Sequence, residues 1–297
     1  MKFEQKTILP KLILITVTLA IAVSVLSSGI WLYGYSKIPD VDTRFYESEK
    51  LHFSSATAPA VKVNARFQFA FCGDPHVCAH HAGNFPFLRD VVDTNQIDFV
   101  IFPGDLTEQG KIEEYFQFKE LADSTGAGYL VTVGNHDLYK NGWRLYSDIL
   151  GPSHYTFEIS NSSFIVIDSA DGRLGKTQMA WLEKALSKAR GEHIFVISHD
   201  PVFSEKHGVY HLSDKSEQEK LKDLFSRYGV DYVLSGHYHG FVTIEYNGVN
   251  YITSGSFGTE PLDSGIYHFL VFTVSGPIVT YKIIDIEREV TYREGTV

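Results

Sequence analysis

From residue 65 onward, short apolar runs stop repeatedly at the same kinds of polar residue. "RFQFAFCGD" leads into Asp74-Pro75-His76, "IDFVIFPGD" into Gly104-Asp105, and "GYLVTVGNHD" into Asn135-His136-Asp137. "HIFVISHDP" closes on His199-Asp200, and "DYVLSGHYHG" on His237-Tyr238-His239. Such runs, rich in Val, Ile, Phe and Tyr and bounded by Gly or Pro, read as strands. Between them lie amphipathic segments, "FPFLRDVVDTNQ", "IEEYFQFKELADSTG", "QMAWLEKALSKARG" and "SEQEKLKDLFSRYG", that read as helices, with Gly126 and Gly191 as stops. Strands alternating with helices predict an α/β layered fold. "YTFEISNSSFIVIDS" reads as a hairpin around Asn161-Ser162, and "FVTIEYNGVNYIT" as a tight type I′ hairpin at Asn247-Gly248. The C-terminal "HFLVFTVSGPIVTYKIIDI" is again strand-like. In open α/β sheets ligands bind beyond the carboxyl ends of the strands. One polar strand end is ordinary; a series of them, all of metal-ligand residue types, is a constellation.

Composition narrows the chemistry. The formal net charge is −10 at pH 7, which speaks against non-specific nucleic-acid binding, since that needs a basic footprint. It leaves phosphate substrates open, because bound cations supply positive charge locally. The 13 histidines favour metal chemistry. The two cysteines, Cys72 and Cys78, form no Cys-x-x-Cys element, so a thiolate zinc knuckle is excluded. Cys72 sits in an apolar run and reads as a buried small hydrophobe.

The N-terminal region reads differently. Residues 12–36 carry no charge and are long enough for a bilayer core, which takes ~20 helical residues. Lys2, Lys6 and Lys11 precede this run, and Trp31, Tyr33 and Tyr35 close it, as at a headgroup boundary. A cleaved signal peptide ending at "AIA" is the rival, but its apolar core would be shorter. The expected organisation is a cytoplasmic N-terminus over 1–11, a single transmembrane signal-anchor over 12–36, a juxtamembrane stalk over 37–64 and an extracytoplasmic catalytic domain over 65–297.

Two divalent cations ~3.5–4 Å apart can clamp a phosphoryl group during in-line displacement. Such a pair needs a shared carboxylate, hard oxygen donors and neutral imidazoles. The blocks Asp-x-His, Gly-Asp-x-x, Gly-Asn-His-Asp, a strand-terminal His and Gly-His-x-His, in that order, resemble the calcineurin-like metallophosphoesterases from about Phe67 to His239. The resemblance implies a four-layer α/β/β/α sandwich of two mixed sheets, with a dimetal site at the strand C-terminal ends. It implies Asp74, His76 and His239 as ligands of one ion, Asp105 as the bridge, and Asn135, His199 and His237 as ligands of the other. The metal expected is manganese, iron or zinc. His136 is expected to face the substrate as a proton donor. Adjacent residues of an extended strand point to opposite sides, so only Asn135 of that pair is expected to reach an ion. The implied reaction is hydrolysis of a phosphate ester, a diester first, by a metal-activated hydroxide. The alternatives are a phosphomonoesterase or pyrophosphate hydrolase on nucleotides or lipid headgroups, and a non-catalytic metal-binding scaffold. A scaffold would be expected to lose ligands, and this chain keeps them.

The chain departs from two branches of that superfamily. The Val-Asp-Arg-Gly of protein Ser/Thr phosphatases is replaced by Leu106-Thr107-Glu108-Gln109-Gly110, and Asp74-Pro75-His76 lacks the tyrosine-ligated iron arrangement of purple acid phosphatases. The text is closer to the bacterial phosphodiesterases. Asp137 and Asp200 read either as partners orienting an imidazole or as turn residues, and Thr107 and Glu108 as shaping a turn. His80, His81, His207 and His211 read as loop histidines, while His52, His154, His193 and His268 have no motif around them. Asn161-Ser162-Ser163 matches a glycosylation sequon.

Overall fold

The alternating runs build two six-stranded mixed sheets. The computed structural model describes residues 38–51, 66–78, 84–204, 210–262 and 265–288, and the backbone of 290–296. Helix α1 (Val41–Ser48) comes first, then β1 (Arg66–Phe71), α2 (Phe85–Asn95), β2 (Phe99–Phe102), α3 (Ile112–Asp123) and β3 (Gly128–Val131). A 3-10 segment (His136–Asn141) runs into α4 (Gly142–Ile149), followed by β4 (Tyr155–Ile159), β5 (Ser162–Val166), α5 (Gly175–Lys188) and β6 (His193–Ser198). Helix α6 (Lys215–Tyr228) precedes β7 (Tyr232–Ser235), β8 (Phe241–Tyr246), β9 (Val249–Ser254), β10 (His268–Ser275), β11 (Ile278–Asp285) and β12 (Val290–Thr296). The first sheet has the order β12-β11-β10-β1-β2-β3 and the second β4-β5-β6-β7-β9-β8.

Burial of alternate residues explains the layering. Phe67, Phe69 and Phe71 of β1 and Phe99 and Ile101 of β2 meet Phe164, Phe195, Ile197 and Leu234 of the second sheet in one core. Its centre is aromatic: Phe69 stacks on Phe272 at 4.8 Å and meets Phe164 edge-on at 5.5 Å. Both are geometries that the ring quadrupole favours. The opposite face of the second sheet, through Ile165, Val196 and Val233, packs on Leu182, Leu186, Leu221 and Phe225 of α5 and α6. Phe102 of β2 turns outward to Phe85 of α2 and Phe118 of α3. The result is the helix–sheet–sheet–helix stack that the resemblance implied.

Local signals hold with small displacements. Asn247 and Gly248 both have positive φ, as a type I′ turn requires. The earlier hairpin turns one residue sooner than expected: Ile159 pairs with Ser162, so Ser160-Asn161 form the turn. The helix expected to stop at Gly191 ends at Lys188.

The start of the stretch read as a stalk is part of the body. The compact unit that holds both sheets begins at Pro39, and Val41–Ser48 is a helix docked in it. Asp40 caps it, accepting from Thr43 N–H at 2.8 Å. Its buried face carries Val41, Arg44, Phe45 and Ser48, which a reading by apolar period misses because a buried arginine counts as polar. The uncharged run at 12–36, the remainder of the stalk at 52–64, and His52, His80, His81 and His207 lie outside the described residues. Among the described residues, no helix is long and apolar enough to cross a membrane.

Candidate metal centre

The five strand-end blocks converge. Asp74 and His76 follow β1, Asp105 follows β2, Asn135 and His136 lie beyond β3, His199 follows β6, and His237 and His239 follow β7. Their donor atoms form three overlapping groups, Asp74–His76–His239, His76–Asp105–His136 and Asp105–His199–His237, each within 4.8 Å. Asp105 joins the halves. Its Oδ2 lies 3.3 Å from His76 Nε2, and its Oδ1 lies 3.3 Å from His199 Nε2. Asn135 Oδ1 is 3.1 Å from His199 Nε2, on the second half.

The backbone is bent to make this convergence. Asp74, His76, Asp105 and His237 all have positive φ, a costly conformation for residues with a Cβ. Such outliers persist where surrounding structure holds them and cluster at functional sites. Close approach demands glycine beside them: a Cβ at Gly134 would collide with the Asp105 carboxylate, and one at Gly236 would lie 2.5 Å from Asp74 Oδ2.

The orientation of each imidazole is set from behind. His199 Nδ1–H donates to the Pro103 carbonyl at 2.9 Å, and His76 Nδ1–H donates to the Glu108 carboxylate at 2.9 Å. Each leaves Nε2 pointing inward. His76 Nε2 is buried without a hydrogen-bond partner. His237 Nε2 faces Asp200 at 3.3 Å, so its Nδ1 points inward, 3.2 Å from His199 Nε2. Two ring nitrogens aimed at each other at that distance need a proton or a cation between them. Burial, with His199 next, depresses His237 to about 3, and burial, with His76 next, depresses His239 to about 4, leaving neutral lone-pair donors.

The acidic side balances these imidazoles. Burial lifts the Asp74 carboxyl to about 8. Burial also works against the Asp105 charge, but the field of His199 and its hydrogen bond outweigh it and hold Asp105 well below the usual carboxylate range. Burial opposes charge on His76, yet the Asp105 carboxylate 3.3 Å from its Nε2 and its hydrogen bond to Glu108 raise it to about 10. Asp74 and His76 therefore retain protons in the place where divalent cations would displace them. Oxygen and imidazole donors in two sets sharing one carboxylate fit two divalent cations.

His136 and Asn135 are not divided as an extended strand would divide them. Asn135 is in αR conformation and His136 opens the 3-10 segment, so strand alternation does not apply. They separate by half-site instead. Asn135 faces His199, whereas the His136 ring packs on His76 with centroids 4.4 Å apart. His136 Nδ1–H donates to the Glu108 carbonyl at 2.8 Å, leaving Nε2 as its free ring nitrogen.

Asp137 and Asp200 resolve differently. Asp137 is fully buried and accepts from the amides of Leu106, Thr107 and Gly134 and from Thr107 Oγ1, so it pins the Asp105 loop to the Asn135 loop and touches no imidazole. Asp200 orients His237. Glu108 does more than shape a turn, since its side chain holds His76 and its carbonyl holds His136. Nothing in a single sequence marks it, because its partners lie 28 and 32 residues away.

The other described histidines are structural. His154 stacks on Phe45 at 4.1 Å, His193 bonds the Gly276 carbonyl, His211 bonds the Leu212 carbonyl and His268 is fully buried. Cys72 and Cys78 are free thiols, Cys72 buried. The Asn161 amide is engaged with Glu192 and the Gly276 carbonyl.

Fold and site together define a metal-binding phosphoester-hydrolase architecture. A profile of the calcineurin-like phosphoesterases matches residues 67–241, and the chain belongs to that family. It is 30% identical over 178 residues to a protein of Arcobacter nitrofigilis named "probable glycerophosphodiester phosphodiesterase", covering 54% of this chain and 63% of that one. It is 25% identical over 167 residues to a "probable cyclic nucleotide phosphodiesterase" of Fibrobacter succinogenes, covering 54% of this chain and 65% of the relative. The chain thus spans less than two thirds of either relative. A purple acid phosphatase from yellow lupin seeds superposes with a TM-score of 0.66 at 16% identity, over 78% of this chain and 53% of the lupin chain, which shows a shared fold.

Proposed function

We propose that the chain hydrolyses phosphate esters, diesters first, at a pair of divalent cations. The observation that carries this is Asp105, whose two carboxylate oxygens each face an inward-pointing imidazole of a different half-site. In this reading Asp74, His76 and His239 hold one ion, Asn135, His199 and His237 hold the other, and Asp105 touches both. Such ions, when bound, supply Lewis acidity toward phosphoryl oxygens and toward water. The protein's own part is placement. Glu108 and Asp200 fix the rings of His76 and His237, and the Pro103 carbonyl fixes His199. With Nδ1–H committed to the Glu108 carbonyl, His136 as the imidazolium would carry its second proton on Nε2, from where it would pass to the departing oxygen. Names of two relatives as diesterases support the diester preference. The ion, in this reading, is manganese, iron or zinc.

The uncharged run at 12–36, with lysines before it, supports a membrane-anchored enzyme whose domain lies outside the cytoplasm. Intact protein should resist carbonate extraction from membranes, and external protease should reach the domain. A soluble mature form beginning near Val23 overturns the anchor.

The catalytic reading is tested on metal-stripped protein beginning at residue 38, with Mn²⁺, Fe²⁺ or Zn²⁺ added singly. The panel is a monoester, a diester, a cyclic nucleotide, a nucleotide pyrophosphate and a lipid phosphate. Metal-dependent turnover led by a diester supports the proposal. Two bound ions without turnover on any of these favours the scaffold.

A further inference from the structure

Helix α1 precedes the region that the family profile covers, yet it grips the metal centre from behind. Arg44 is fully buried. Its Nε and Nη2 donate to both oxygens of Asp168, each at 2.8 Å, and its Nη1 donates to Asp171 at 2.9 Å and to the Pro39 carbonyl at 2.6 Å. A planar guanidinium forking a carboxylate in this way fixes direction as well as charge. The rest of the helix is seated beside it. Glu47 accepts from the Trp143 indole, Ser48 Oγ accepts from Ser153 N–H at 2.8 Å, and Glu49 meets His154 at 3.0 Å.

What Arg44 holds is the loop that follows β5. The next residue, Ser169, receives two amides on its Oγ, from His199 at 3.0 Å and from Asp200 at 2.8 Å. His199 is a ligand of the second half-site in the reading above, and Asp200 orients His237, another ligand of that half. The path Arg44–Asp168–Ser169 therefore ends on both, through covalent links and hydrogen bonds between buried groups. The route to the other half-site is longer: Gly236 N–H donates to the His199 carbonyl, and His237 N–H then donates to the Asp74 carboxylate, so Asp74 lies further along the chain of contacts from Arg44 than His199 and Asp200 do. Gln178 fixes the Asp168 backbone through two hydrogen bonds, and Arg44 fixes its side chain.

We propose that Arg44 is a positioning residue for one of the two metal sites: α1 clamps the 168–171 loop beneath His199 and Asp200, and loosening the clamp weakens the ion held by Asn135, His199 and His237 while sparing the other. This rests on the two-ion reading. It also means that a domain cut at residue 65 lacks part of its own site.

The test uses the full chain and Co²⁺ alone, titrated against a chelator with the visible absorption of each site as readout. Arg44→Lys keeps the charge and loses the fork. Its affinity for one ion should fall by about tenfold or more, as when a partner behind a ligand is lost, with the other ion unchanged. Excess Co²⁺ should restore both occupancy and turnover. Asp168→Asn approaches the contact from the loop and should show the same selective loss, which keeps the test open if Arg44→Lys folds poorly. Trp143→Phe removes a different α1 contact and should lower the melting temperature without moving either affinity. Parental affinities for both ions in Arg44→Lys and Asp168→Asn, or a parallel fall in both, would reduce α1 to a brace and overturn the proposal. A parent that binds fewer than two ions overturns the two-ion reading itself, and the parent's own titration tells that apart.

Discussion

At the scale of single residues, charge at one carboxylate and a proton at one imidazole make separable predictions. Asp105→Asn keeps the shape but removes the negative charge shared by the two halves. Metal content should fall and turnover drop by orders of magnitude while the circular dichroism stays native, because the sheets are built elsewhere; near-normal turnover with two ions bound would refute the bridge. His136→Ala should keep metal stoichiometry and lower turnover by roughly 10²–10⁴, the usual loss of a positioned acid. The loss should shrink for a nitrophenyl ester, whose leaving group needs little protonation. Equal loss on good and poor leaving groups would instead make His136 a holder of phosphoryl oxygens. Glu108→Gln tests the partner behind His76, and metal affinity should weaken by about 10- to 100-fold. Dialysis against a chelator series reads that loss directly.

At the scale of elements, the site depends on loops tied together across the sheet edge. Asp137 links the loop after β2 to the loop after β3 through three hydrogen bonds from buried donors and closes its own loop with a fourth, from Gly134 N–H. Asp137→Asn cannot accept them all, since its amide nitrogen is a donor. Leaving buried donors unmet at a charged acceptor should cost about 3 kcal/mol, read as a lower urea midpoint. Position Gly134 shows the same economy of space: Gly134→Ala should displace the Asp105 carboxylate and reduce metal binding even where the fold survives. The docking of α1 belongs to this scale too. Its helix propensity is ordinary, and what holds it is side-chain contact, the forked Arg44–Asp168 ion pair and the stacked His154 among others.

At the scale of the whole molecule, buried polar groups away from the site set the response to acid. His268 begins β10, is fully buried, bonds the Ile266 carbonyl at 3.2 Å and faces Asp285 on β11. Burial lowers it from 6.5 to about 4. The unfolded chain therefore takes up the proton first, and stability falls as pH drops from about 6.5 to about 4, with the loss complete below that. The shift corresponds to about 3 kcal/mol. His268→Gln should flatten that part of the urea-midpoint profile relative to the parent; an unchanged slope would mean that other groups carry it.

Much of the site was legible because metal coordination restricts residue type more than it restricts fold. Asp74, His76, Asp105, Asn135, His199, His237 and His239 stand at strand ends in the text, and the structure brings them together there. The sheets were legible for a similar reason, since burial on both faces writes β2 as an unbroken apolar run and gives β1 an apolar C-terminal half. Other features needed coordinates. Glu108 and Asp200 act by touching a ligand's far nitrogen, a relation with no sequence spacing of its own. Arg44 reaches Asp168 across 124 residues, and it reads as a solvated charge until a second carboxylate and a carbonyl are seen to surround it. The sequence by itself determined which atoms can bind cations and which faces of each strand are apolar, because both follow from side-chain chemistry. Only the tertiary structure decided which imidazole nitrogen points inward, which aspartate braces a loop and where the domain begins, because those depend on distances between groups that the chain brings together only on folding.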